Sequence, residues 1–426
     1  MTEVPAAEVI SAQMRDEVLR VAEETLRASW IEGERDGVPF AYSRPSPTHY
    51  PWQWYWDSCF HAIVWRRFDP PRAERELRSL LGGGDADGFI GHTIFWDRPV
   101  DWQRRWTYNV TSKRARNTST IQPPLLAWAW RIAVGDPSEE PRIAAHHRWL
   151  ESNRDLDGDG LLWIVQPDES GLDSSSKFDP VWGIRAHARP LFPFLIARNR
   201  RLDWDAQRVL QAGGPLLCEV VSNVLWCLAR IAAGEPSITP ALIERFWDER
   251  RGLFLDVARG NLARPDRTDP AGGDRRIRTS TWSALAPLAL PDLPEEIARR
   301  LVEEHLLDQR KYWLPFPPTS VSAQEPSFEP RRWKGPLRRL YWRGPTWINS
   351  AWLIWTGLVR HGYAPEALEM TKRLAQAVAA ERLREFYEPY SGEGLGARDF
   401  GWSSLIAELV DPDPAAAASY LSPLRA

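Results

Sequence analysis

Between Ala6 and Trp30 the apolar residues Val9, Ile10, Met14, Val18, Val21 and Leu26 fall at helical spacing, with acids and arginines in between. That pattern lays one apolar stripe along an amphipathic helix. Residues 121–134 and 346–359 are apolar on nearly every side, so helices there have to be buried, whereas 365–378 is one-faced and belongs at a surface. A recurring turn separates the two kinds. Arg131-Ile132-Ala133-Val134-Gly135-Asp136-Pro137-Ser138 matches Arg230-Ile231-Ala232-Ala233-Gly234-Glu235-Pro236-Ser237, and Arg360-His361-Gly362-Tyr363-Ala364-Pro365 echoes both. In each, a glycine past one helix end is followed by proline near the next beginning. Helical hairpins with a buried inner and a solvent-facing outer member close most naturally into a two-layer α/α toroid, so an all-α fold of that kind is expected. The runs 161–165 and 252–257 read as short β excursions, and the proline- and arginine-rich stretches 258–278 and 313–340 as long rim loops. With no Ser/Gly-rich linker, residues 1–426 are expected to form one domain.

Composition narrows the function. A net charge of −3 gives no electrostatic case for nucleic acid, and no apolar run approaches the roughly 20 residues a membrane span needs. Residues 1–15 carry acids and no apolar core segment, unlike a secretory signal, so a cytoplasmic protein is expected. Cys59, Cys218 and Cys227 stand in no metal-ligand spacing and read as reduced core residues. Tryptophan is the outlier, at 24 residues. Indole is large and its N–H wants a partner, so economical cores seldom use so many. Flat rings with one polar edge suit the apolar faces of sugars, and several cluster in Trp52-Gln53-Trp54-Tyr55-Trp56-Asp57 and Tyr341-Trp342-Arg343-Gly344-Pro345-Thr346-Trp347.

The chemistry is concentrated at 166–179, where Asp168, Glu169, Asp173 and Asp179 crowd round Gly171. A carboxyl beside apolar walls and a second carboxylate keeps its proton near neutral pH, as a general acid must; the alternative is a solvated acidic turn. Asp155-Leu156-Asp157-Gly158-Asp159-Gly160 begins like a calcium loop, but Gln166 stands where the bidentate glutamate belongs, so a glycine-aspartate turn is expected and no metal or other cofactor. The histidines, His61, His92, His146 and His147 among them, form no metal-spaced set, and Gly82-Gly83-Gly84 lacks the residues of a phosphate loop.

Four segments in order, Gln53-Trp54-Tyr55-Trp56-Asp57-Ser58, Glu169-Ser170-Gly171-Leu172-Asp173, Tyr341-Trp342-Arg343-Gly344-Pro345-Thr346-Trp347-Ile348-Asn349 and Glu385-Phe386-Tyr387-Glu388-Pro389-Tyr390-Ser391-Gly392-Glu393-Gly394, resemble glycoside hydrolase family 63, inverting α-glycosidases on an (α/α)6 barrel. The compact length and the wording of 167–173 are similar to its small bacterial members that hydrolyse mannosylglycerate or glucosylglycerate. Inversion needs a protonated carboxyl at the leaving oxygen and a carboxylate about 6.5–9.5 Å away to activate water. The resemblance makes Asp173 the acid and Glu385 the base, with Glu388 and Glu393 as rivals for the second role, and leaves Asp168, Glu169 and Asp179 to hold the loop or touch sugar hydroxyls. It also implies a substrate-binding set of Tyr50, Gln53, Trp54, Trp56, Asp57, Gln122, Tyr341, Trp342, Arg343 and Trp402. Arg343, or Arg185 and Arg189, would suit a carboxylate aglycone.

Two departures stand out. Asp168 occupies a position where larger members carry tryptophan, and 184–194 lacks the tyrosines and acidic run of the glycerate-releasing members. The expected partner is therefore a small carbohydrate, with or without a carboxylate aglycone, acted on by a possible homo-oligomer. Another α-glucoside or α-mannoside, a sugar epimerase and a non-catalytic sugar-binding toroid are the alternatives.

Overall fold

The computed structural model describes residues 10–96, 114, 116–186, 191–264, 273–331 and 341–412. Six buried helical segments organise it: Tyr55–Phe68, Leu126–Ala133, Val220–Ala232, Trp282–Ala289, Ile348–Arg360 and Gly401–Leu405. Each packs against the next, and the last returns to the first. Outside this ring Pro70–Gly82 lies on Tyr55–Phe68, Thr239–Phe246 on Val220–Ala232, and Ala364–Glu381 on Ile348–Arg360, while Ala12–Ser29 joins Ala364–Glu381 to the closing segment. Among the described residues no helix is long and apolar enough to cross a membrane.

The turns behave as their glycines require. Gly135, Gly234 and Gly362 have φ of +77°, +78° and +85°, the left-handed conformation that ends a helix at little cost only for glycine. The following helices start at Glu140, Thr239 and Ala364, each with proline in its first turn. The inner helix expected at 121–134 begins only at Leu126. Pro123 and Pro124 bring no N–H and disfavour helical backbone before them, so Gln122 stays outside the helix.

The strands among the described residues are short, six residues at most. Trp30–Arg35 and Val38–Ser43 form an antiparallel hairpin about Asp36-Gly37. Trp163–Ile164 and Val257–Arg259, within or beside the expected β runs, join through Leu216–Cys218 in a four-stranded sheet completed by Arg275–Arg276. The stretch 258–278 is therefore partly strand; its residues 265–272, like 332–340 of the second expected rim loop, lie outside the described residues. The three cysteines are buried and unpaired.

Candidate active site

One end of the ring holds a cavity of about 470 Å³, counting its open mouth, whose described lining residues come from 45–173 and 341–402. Tyr50, Trp54, Trp56, Asp57, Gln122, Asp173, Tyr341, Trp342, Glu385 and Trp402, ten of the twelve site residues expected from sequence, line it. The other two, Gln53 and Arg343, stand behind its wall.

The first wall is the start of Tyr55–Phe68. The strand Gln53–Trp54 pairs with Thr93–Ile94, and the buried Gln53 amide donates to Ser58 Oγ and Glu76 O and accepts the Trp96 indole N–H. The helix N-terminus is capped from a distance: the Trp56 N–H donates to Gln122 Oε1 at 3.0 Å, which turns the Gln122 amino group to other acceptors. Asp57 lies in the first turn, and burial pushes its carboxyl up to about 7 against the pull of His61. A carboxyl poised there can both donate to and accept from a hydroxyl group.

The acid loop forms the second wall. Asp173 is exposed whereas 170–172 and 174–178 are buried, so this one side chain reaches out of an otherwise closed turn. Gly171 (φ +69°) seats the turn directly on Trp56: a Cβ there would lie 2.5 Å from the indole. Ser174 takes φ +59°, unusual for serine, and costs about 1 kcal/mol. It is held by the Tyr341 N–H on Ser174 Oγ (3.0 Å) and by Arg343 Nε on Ser174 O (2.8 Å). Arg343 in turn grips Asp179 with both terminal nitrogens, at 2.9 and 2.6 Å. Arg343 and Asp179 thus fix the loop, and neither lines the cavity. Glu169 is also a clamp. It is buried, forms a bidentate pair with Arg154 (2.9 and 2.6 Å) and accepts the N–H groups of Ile121 and Val165.

Asp168 stands next to these. Its Oδ1 accepts from Gln166 Nε2 at 2.6 Å, and its Oδ2 lies 3.9 Å from His92 Nδ1. Burial, and then the charge of Asp173, push its carboxyl up to about 8. A raised carboxyl pKa means that from about pH 4 to pH 8 the native state holds a proton that the unfolded chain releases, so its stabilising contribution is full below pH 4 and lost by pH 8. Urea midpoints of the wild type should accordingly fall over that range, and Asp168→Asn should flatten the fall; an unchanged slope would contradict the assignment.

Glu385 faces this loop from the strand Arg384–Tyr387, at the irregularity in its pairing with Gly394–Arg398. A bulge re-aims the side chain it carries. Oε1 accepts the Tyr50 hydroxyl at 3.1 Å and Oε2 the Ala397 N–H at 2.9 Å. Gly396 (φ +72°) makes room: a Cβ there would come within 2.5 Å of Glu385 Oε2. Burial, then the neighbouring Glu385, Tyr341 and Asp173, hold the Tyr50 phenol well above its usual range, so it stays a donor beside both carboxylates. Of the rival acids, Glu388 accepts the N–H groups of Tyr390 and Ser391, and Glu393 pairs with Arg331 at the surface. Neither lines the cavity.

Aromatic rings make the floor. Trp342 stacks on Trp347 at 3.9 Å and 8°, and Trp402 meets Trp56 edge-on at 5.4 Å and Trp347 at 5.7 Å. Trp347, Phe400, Pro45 and His92 also line the cavity and are not among the site residues expected from sequence. Trp347 lies inside the tryptophan motif at 341–347, which is signal enough; nothing in the sequence marks His92, whose burial drives its pKa down to about 3 and keeps it neutral. His61 and His146 make ordinary buried contacts, His61 with Glu76 and His146 with Tyr55 and Gly88. In the calcium-like turn Asp155 accepts the N–H groups of Gly158 and Gly160, and Asp157 and Asp159 meet Arg245. Among the described residues no group of three or more metal-ligating side chains is assembled. Arg185 lies away from the cavity, and Arg189 lies outside the described residues.

The family model described as the mannosylglycerate hydrolase MGH1-like glycoside hydrolase domain matches residues 50–221 and 229–403. The chain belongs to this family of glycoside hydrolases. Both Asp173 and Glu385 fall within the matched residues. A mannosylglycerate hydrolase from Thermus thermophilus is 28% identical over 86% of this chain and 96% of its own length. A glucosylglycerate hydrolase from Mycolicibacterium hassiacum is 26% identical over 84% and 91%. The backbone of this family member also follows a crystal structure of a GH63 mannosylglycerate hydrolase from Thermus thermophilus in complex with Tris and D-glycerate. That match covers 93% of this chain and 99% of the other at a TM-score of 0.71 and 24% identity.

Proposed function

We propose that this glycoside hydrolase is an inverting α-glycosidase on an (α/α)6 toroid, with mannosylglycerate or glucosylglycerate as substrate, Asp173 as general acid and Glu385 as general base. The observation that carries the reading is that Asp173 and Glu385, from distant parts of the sequence, line one tryptophan-floored cavity and both neighbour Tyr50. The closed succession of six inner segments supports the toroid. In this scheme the apolar face of the sugar lies on the indoles, and Asp57 and the Gln122 amino group take its hydroxyls. Asp173 gives its proton to the glycosidic oxygen as the bond to the anomeric carbon breaks. Glu385, its oxygens oriented by Tyr50 and Ala397, removes a proton from the water that attacks the opposite face.

A second reading, hydrolysis of a neutral α-glucoside or α-mannoside, has one specific support: among the described lining residues none is arginine or lysine, so no described cation meets a glycerate carboxylate. Epimerase chemistry, which wants two cavity histidines, finds only His92 among the described lining residues. A hydrolysis screen of mannosylglycerate, glucosylglycerate and common α-linked disaccharides, with Asp173→Ala as control, decides between the substrates. Proton NMR of the first sugar released should show the β-anomer; the α-anomer would overturn inversion.

A further inference from the structure

Beyond the acid loop the chain builds a second hollow, of about 1130 Å³ including its open side, that shares no lining residue with the catalytic cavity. Arg185, Arg198 and Arg264 line it together with Asn261 and the buried Trp182. The segment carrying Asn261 and Arg264 is fixed to the continuation of the acid loop, Ala263 N–H donating to Val181 O at 3.1 Å and Arg264 N–H to Pro180 O at 2.9 Å. Glycines let the walls approach: Gly183 and Gly213 have φ of +64° and +74°, and a Cβ on Gly213 would lie 2.8 Å from Asn261 Nδ2.

Among the described residues the charges lining this hollow are unbalanced. Elsewhere on this chain clustered arginines meet carboxylates, as where Arg245 and Arg259 share Asp157 and Asp274. Here no acidic residue is among the described lining residues, and none of the three guanidiniums makes an ion pair with a described residue. Arg198 turns Nε and one terminal nitrogen to Asn199 Oδ1, at 3.1 and 2.9 Å, and its other terminal nitrogen has no hydrogen bond to a described residue. Burial and the nearby Arg185 charge lower its proton affinity, so the two cations sit close enough to repel. The Trp182 indole N–H, also buried, has no hydrogen-bond partner among the described residues. Arg264 also borders a neighbouring hollow that holds Arg275, Arg276 and Arg278 together with Glu325, and there Arg276 is paired with Asp248 at 3.5 Å.

We propose that this arginine-lined hollow is a binding site for a small multiply charged oxyanion, a phosphate ester or a polycarboxylate, separate from the catalytic cavity. Guanidinium groups offer paired N–H donors that match the oxygens of either group, and a bound anion relieves the repulsion between Arg185 and Arg198. Titration calorimetry of the full chain at low salt, with inorganic pyrophosphate and with citrate as separate probes, tests it. One saturable site per chain is expected, weakened at least tenfold in Arg198→Gln/Arg264→Gln, unchanged in Glu385→Gln, and unaffected by saturating that variant with its glycoside. Preference for pyrophosphate or for citrate identifies which oxyanion class the site takes. If the double variant fails to fold, the exposed Arg264→Gln alone should still weaken binding severalfold. The absence of a saturable site, binding that these variants retain in full, or competition by the glycoside would each overturn the proposal.

Discussion

Replacing Glu385 by glutamine should lower turnover about 10²–10⁴-fold, the range for removing a positioned general base, or roughly 3–5 kcal/mol of barrier. The fold should survive, because glutamine can keep an oxygen on the Ala397 N–H and present its amino group to the Tyr50 hydroxyl, which can accept as well as donate. Asp173→Asn should fall by a similar factor, and the double variant should lose far less than the product of the two, since the proposed acid and base would act as a unit. Glu393→Gln supplies the contrast, because among the described residues its half-exposed carboxylate pairs only with Arg331, and turnover should stay within a factor of about two. Steady-state kinetics on whichever glycoside the screen identifies measures all four. An active Glu385→Gln enzyme with an inactive Glu393→Gln one would reassign the base.

The largest effect on stability is expected at Glu169. Its carboxylate is fully buried, and replacement by alanine strands the buried Arg154 guanidinium together with the N–H groups of Ile121 and Val165. Breaking a buried ion pair from one side costs about 3–5 kcal/mol, so Glu169→Ala should lower the urea midpoint steeply. Glu169→Met combined with Arg154→Met removes both charges and should cost much less than the two single changes summed. Additive losses would mean that the pair contributes no coupling. Because the same carboxylate anchors the turn that presents Asp173, kcat of Glu169→Ala should drop even under conditions where the variant remains folded.

Local signals are what the sequence made readable. Gly135, Gly234 and Gly362 announce helix ends through backbone conformation alone, and the all-round apolar runs before them announce burial. The ring's shorter members escaped because periodicity needs a window of about 11–18 residues. Trp282–Ala289, wound as a 3-10 segment with Pro287 inside it, and the five-residue Gly401–Leu405 are too brief to declare themselves. The Asp36-Gly37 turn, by contrast, is a recognised hairpin signal and could have been read. In the site, residue types at motif positions were legible while pairings were not. Arg343 has the chemistry of a carboxylate receptor, but meeting Asp179 across the cavity wall is decided by tertiary packing, and so is the placing of His92 beside Asp168.

The inner ring closes between Tyr55–Phe68 and Gly401–Leu405, its first and last members along the chain. Trp56 and Trp402, from these two ends, meet edge-on in the cavity, and Glu385 arrives only shortly before the closing segment. During synthesis, then, a ribosome must extend almost the whole chain before either wall finds its opposite. The most sequence-distant contacts have the greatest loop-closure cost and form slowly. Nascent chains arrested short of residue 401 should therefore expose the unpaired inner faces of these helices and depend on chaperones, and hydrolytic activity should emerge in one late step.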